Sequence, residues 1–171
     1  MALPQAKLRE IIFQLLYSRD VGRSEESSAV ALLMKELHVT RSGVYLALSK
    51  AAELQNHQDE IDATITKAVQ GYTFARIQNV ERCILRLATY ELIVEKTIPP
   101  KVVITEAMRL GRKFATPESA NFINAVLDAI YKSMLGSPLT FEAIETTVQE
   151  MEAKELLIKK NKHLVAEEKA D

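Results

Sequence analysis

Side chains able to do covalent or metal chemistry are few in this chain and are not grouped. The three histidines, His38, His57 and His163, fall in unrelated segments, and none has a His or Cys partner at metal-binding spacing. The single cysteine, Cys83, adjoins Ile84 in an apolar-striped segment with no neighbouring base, so it reads as a small packed residue rather than a nucleophile. No Gly-rich phosphate loop, GxSxG elbow or HExxH helix occurs. The acidic pairs Glu25-Glu26 and Glu167-Glu168 resemble solvated surface. No catalytic residue, metal or cofactor is expected.

The elements that position the remaining side chains read as helices. Leu8, Ile11, Ile12, Leu15 and Leu16 recur at helical spacing between Gln5 and Ser18. A second helix, capped by Ser24, is expected to reach Leu37, and a third, capped by Thr40 or Ser42, to run from Val44 to Leu54. A fourth follows from Asp59 to Val69, ending near Gly71; the polar stretch between the last two has no Gly or Pro, so one bent helix is equally compatible. Val80, Ile84, Leu87, Ala88 and Leu92 form the clearest stripe and predict a helix from Asn79 to Glu95. Pro100 starts the next helix, which turns Val103, Ala107, Leu110, Gly111 and Phe114 inward. Thr116-Pro117-Glu118 starts another, running to Leu135. Past Pro138, Phe141, Ile144, Val148 and Met151 predict an added amphipathic helix, followed by a charged, frayed tail. Their heptad-like spacing ends at Glu155, giving weak support for a coiled coil, so both monomer and homodimer stay open.

With 171 residues, 47% of them hydrophobic and 26% charged, the chain can bury one substantial core and is not intrinsically disordered. The lone cysteine and the absence of a basic, apolar leader point to the cytoplasm, and no apolar run approaches the roughly 18 residues of a membrane span. A net charge of -1 says little about partners, because a near-neutral total can conceal a basic face.

The most specific segment, Tyr72 to Leu92, sets an aromatic, Arg76-Ile77 and Val80-Glu81 ahead of Ile84-Leu85-Arg86 and Tyr90-Glu91-Leu92. Ile98-Pro99, Lys101 to Ile104 with Glu106-Ala107, Lys113-Phe114, and Ser119 ahead of Phe122-Ile123-Asn124-Ala125-Val126-Leu127-Asp128 follow in order, and Arg9-Glu10 and Gln14 to Tyr17 precede it. Together these pieces resemble the NusB family from about Lys7 to Ile130, loosely between Asp20 and Gln70. The resemblance implies an all-α bundle of about seven helices in two helical subdomains, here with an extra C-terminal helix. It divides the chain into residues 1–136, a NusB-like RNA-binding domain, and 137–171, a charged helical extension. It also implies transcription antitermination: binding of boxA-type single-stranded RNA together with a NusE-type ribosomal protein, to modify an elongating RNA polymerase.

Under that reading Lys7 and Arg9 approach RNA phosphates and Tyr17 contacts or stacks on bases, the alternative being solvated charge and a core tyrosine. Phe122 with Asn121 and Asn124 offers an aromatic and amides near a positive helix end, while Phe122 serves equally well as core. Arg86 and Glu91 lie amid apolar residues and suit structural ion pairs. Glu81, with Arg82, matches a position the resemblance places at the NusE interface. Three departures stand out: the N-terminus is poor in basic residues, Ala125 replaces a usual glycine, and the chain continues past Leu139. Two other readings stay open, an interaction module that has lost RNA binding and a detached RNA-binding domain related to ribosomal RNA cytosine methyltransferases.

Overall fold

Apolar side chains at three- and four-residue spacing are buried only when helices are laid against one another. The computed structural model, which describes residues 2–22, 26–70, 72 and 74–168, does this with eight α-helices and, among those residues, no strand. They are α1 (Gln5–Asp20), α2 (Glu26–Leu37), α3 (Arg41–Asn56), α4 (Gln58–Val69), α5 (Asn79–Tyr90), α6 (Pro100–Phe114), α7 (Pro117–Met134) and α8 (Glu142–Glu168). The proposed cap Ser24 and stop Gly71 lie outside the described residues.

Local chemistry accounts for most boundaries. Thr40 caps α3 by accepting from the Gly43 N–H at 3.2 Å, and Thr116 caps α7 by accepting from the Ser119 N–H at 3.1 Å. Pro100 and Pro117 occupy first turns, where a missing N–H costs nothing. The polar stretch after Leu54 divides α3 from α4 at His57, whose N–H donates to Leu54 O at 3.0 Å. The helix expected from Asn79 to Glu95 is α5 followed by a π-helical turn, Glu91–Glu95, closed by Lys96 in the left-handed region with φ 55°.

Helices α1, α2 and α3 form one group and α4 to α7 another, and α5 touches both. Every residue from Cys83 to Tyr90 is buried. One continuous hydrophobic core runs from Leu8 and Ile11 of α1 through Ile84 and Leu85 to Ile123 and Leu127 of α7, and takes in Ile144 and Val148 of α8. The extension thus packs by its first half. From Leu156 to Ala166 every residue of α8 is exposed, yet the helix continues. Among the described residues no helix is long and apolar enough to cross a membrane.

Arg86 at the centre of α5 donates to Asp62 of α4 at 2.7 and 2.8 Å and to Asp20 of α1 at 3.0 and 3.3 Å, tying three helices through one guanidinium. At the α6–α7 crossing Gly111 permits close approach, since a Cβ there would sit 3.0 Å from Ile123 Cδ1 and 3.2 Å from Ala120 Cα. Gly111→Val is therefore expected to lose about 1–3 kcal/mol to overpacking. A urea unfolding midpoint equal to that of the unaltered chain would contradict this close packing.

Candidate nucleic-acid interface

The seam between α1 and α6 gathers charge around one buried acid. Glu10 accepts from Arg109 at 2.7 Å and pairs with Lys113 at 3.0 Å and Lys7 at 3.9 Å. Burial alone would raise the pKa of this carboxyl, but the hydrogen bonds from Arg109 and Lys113 outweigh it and hold the value below the usual range. Its ionised form therefore stabilises the fold above the ordinary carboxylate pKa, a contribution lost as pH falls through the lowered value. Arg109 also bonds Glu106 at 3.0 and 3.2 Å and Ala6 O at 3.2 Å, which fixes α6 along α1.

Rings line the seam's open end. Phe13 lies 6.1 Å from Tyr17 and 4.8 Å from Phe114, ring centre to ring centre, and Lys113 Nζ stands 5.5 Å above the Phe114 ring. An open hollow of about 510 Å³ is bounded by Phe13, Tyr17, Leu32, Val80 and Phe114. Tyr17 keeps 37% of its surface exposed and Lys113 half of its side chain. A partly exposed ring, with a partly exposed cation one ring away, is what a base stacked on an aromatic, with its phosphate nearby, requires.

The residues expected from the sequence divide between this hollow, other surfaces and the interior. Lys7 pairs with Glu10 on the seam and Tyr17 bounds the hollow. Arg9 does not: it is buried, its Nε bonds Glu91 at 2.8 and 3.2 Å, and Glu106 is 3.8 Å away, so its charge cannot reach a phosphate. Phe122 is 1% exposed with its ring 6.2 Å from Tyr72, a core position that leaves no face for a base. Asn121 and Asn124 are exposed on α7 but do not line the hollow. Glu81, expected on a partner surface, is buried and accepts from Ser119 Oγ at 2.5 Å, tying α5 to the first turn of α7. Arg82 is partly exposed, bonds Asn79, lies 3.6 Å from Asp20 and stands 5.8 Å over the Phe74 ring. Lys113 is visible in sequence only as part of a motif, Phe114 as part of that motif and as an inward residue of α6, and Arg109 carries no signal in sequence.

Elsewhere the chemistry is structural. Cys83 is buried with Sγ 3.7 Å from Asp20 Oδ2, and burial with that neighbouring carboxylate pushes the thiol up to about 12, which leaves little nucleophilic thiolate. Among the described residues no group of three or more His, Cys, Asp or Glu side chains is placed to hold a metal ion.

Bundle and seam together define a protein that is helical throughout its described elements and that sets a partly exposed ring and two partly exposed lysines, paired with Glu10, along one seam. The chain belongs to the NusB family, whose model matches residues 6–132. It is 37% identical over 128 residues to the transcription antitermination protein NusB of Chlamydia pneumoniae, covering 75% of this chain and 80% of that protein. Among solved structures it is similar to T. maritima NusB, with TM-score 0.66 and 28% identity over 85% of this chain and 99% of that one. It is also similar to a chain in a crystal structure of the antitermination factors NusB and NusE in complex with dsRNA, with TM-score 0.65 and 28% identity over 75% and 96% of the two chains.

The inward turn of Arg9 has a measurable consequence. Burial holds the Glu91 carboxyl above its ordinary pKa even beside Arg9, so the acid depends on its cation. Arg9→Met is expected to cost about 3–5 kcal/mol by leaving that charge unpaired, whereas Arg9→Met with Glu91→Leu recovers most of the loss. Chemical denaturation decides this, and a single variant as stable as the unaltered chain would mean that Arg9 is not structural.

Proposed function

We propose that this chain is a transcription antitermination factor of the cytoplasm that binds boxA-type RNA together with a NusE-type ribosomal protein and so modifies an elongating RNA polymerase. The observation that carries this reading is the hollow beside Tyr17, where an accessible ring meets the Phe114 ring, over which the Lys113 ammonium stands at 5.5 Å. Tyr17 stacks an unpaired base, and Lys113 and Lys7 meet the phosphates on either side of it. Asn121 and Asn124 supply exposed amides farther along the RNA, and Arg82 belongs to the surface that meets the ribosomal protein. Membership of the family and likeness to a NusB–NusE–RNA assembly support the choice of partners.

A second reading, an interaction module that has lost RNA binding, draws on the burial of Arg9 and the pairing of Lys7 and Lys113 with Glu10, which leave the seam only modestly cationic. Fluorescence anisotropy with a labelled boxA-type RNA, with and without NusE, separates the two. The first reading expects binding that NusE strengthens, a loss of about 1–3 kcal/mol for Tyr17→Ala, and a salt dependence lower by about 0.7 for Lys113→Gln. NusE binding with no gain in RNA affinity would select the second reading. No RNA binding in either mixture at low salt would overturn the first.

A further inference from the structure

The outer half of α8 carries a basic stripe that no intramolecular contact explains. Along this helix Glu152, Glu155, Lys159 and Lys162 follow one another at three- and four-residue spacing, so they lie on one stripe. Its acidic members are engaged by the bundle: Glu152 accepts from Arg76 at 3.1 Å and Glu155 from Gln78 at 2.5 Å. Alongside them Lys154 bonds Glu118 of α7 at 2.6 Å. Past Glu155 the sign reverses. Lys159, Lys160, Lys162 and His163 follow with no acid until Glu167, and among the described residues none of the three lysines has an ion pair or hydrogen bond.

The course of the helix says where this stripe lies. Val148, Met151, Glu152 and Glu155 pass over Tyr72 and Phe122, and Met151, Glu155 and, farthest along the helix, Ile158 line a cavity of about 270 Å³ with Val80, Phe114 and Thr116. Val80 and Phe114 also bound the hollow beside Tyr17. Lys159 immediately follows Ile158 and Lys162 stands one turn beyond it, about 6 Å of rise, in the direction that leads from Phe122 past Phe114. The macrodipole does not account for them, because they stand before the last turn and that turn contains no basic residue. Nor does packing, because the helix is exposed there on all sides.

We propose that the outer half of α8 is a cationic arm in which Lys159 and Lys162 hold the phosphates of a single-stranded RNA whose base occupies the Tyr17–Phe114 hollow. Single-stranded RNA fits because the arm offers unpaired ammonium groups, which hold a flexible phosphate chain without fixed geometry. The arm supplies the charge that Arg9, turned into the core, does not. The inference rests on the RNA-binding reading above.

The test uses the full chain and a labelled boxA-type RNA in anisotropy titrations at several salt concentrations. Lys159→Gln with Lys162→Gln is expected to weaken binding on the order of tenfold at physiological salt and to lower the salt dependence by about 1.4. Lys160→Gln, off the stripe, is expected to change both far less. Circular dichroism and solution mass should match the unaltered chain, since these exposed side chains make no ion pair or hydrogen bond among the described residues. An unchanged affinity and slope in the double variant, an equal effect of Lys160→Gln, or a change in mass without a change in RNA binding would overturn the arm while leaving the Tyr17 site standing. Failure of the unaltered chain to bind RNA at low salt would instead remove the reading on which the arm rests.

Discussion

A helix buried on every side can carry charge only where each charge is met, and α5 with its π-helical continuation carries two charges that decide how the bundle closes. Arg86 is matched by Asp62 from α4 and Asp20 from α1, and Glu91 by Arg9 from α1. Both ties reach α1, at opposite ends of that helix, so α1 is fixed in register along α5 rather than merely pressed against it. The nonspecific attraction of Leu8, Ile11 and Ile12 for the core tolerates a one-turn slip, but two ion pairs at separate points do not.

That register builds the outer face. With Arg9 held by Glu91, the neighbouring Glu10 points along the α1–α6 seam and collects Arg109, Lys113 and Lys7, while Tyr17 comes to rest beside Phe13 and Phe114. Interior and interface are two sides of one helix. The π-helical turn after Tyr90 belongs to the same scheme: it spends Glu91 on Arg9 and Glu95 on Lys50 of α3 at 2.6 Å, so the widened turn is fastened to both α1 and α3. Glu81 closes the opposite end of α5 against Ser119.

Most helices are legible because they are amphipathic, and their ends because Thr40, Thr116, Pro100 and Pro117 act through neighbours in sequence; the outer half of α8, exposed on all sides, reads as a frayed tail and yet stays helical. What periodicity does not encode is the partner across the core. Arg9 appeared as a surface cation because its match, Glu91, stands 82 positions away, and the wheel alone sets it at the edge of the Leu8–Ile12 stripe. Resemblance alone sets Glu81 on a partner surface, and its hydroxyl partner, 38 positions on, turns it inward. Phe122 was evenly balanced between base and core until α8 and Tyr72 covered it. Phe114 reads in sequence as an inward residue and Lys113 only as part of a motif, and only the α1–α6 seam brings Phe114 to the hollow beside Tyr17, with Lys113 over its ring.

If the α1–α6 seam holds the RNA, bases must lie against Tyr17 and Phe114. Ultraviolet cross-linking of the full chain to a boxA-type RNA carrying a photoreactive base, followed by mass spectrometry of the joined peptides, addresses it directly. Adducts on the peptides that contain Tyr17 and Phe114 are the expected result. Adducts confined to α3 and α4, with none on those two peptides, would contradict it.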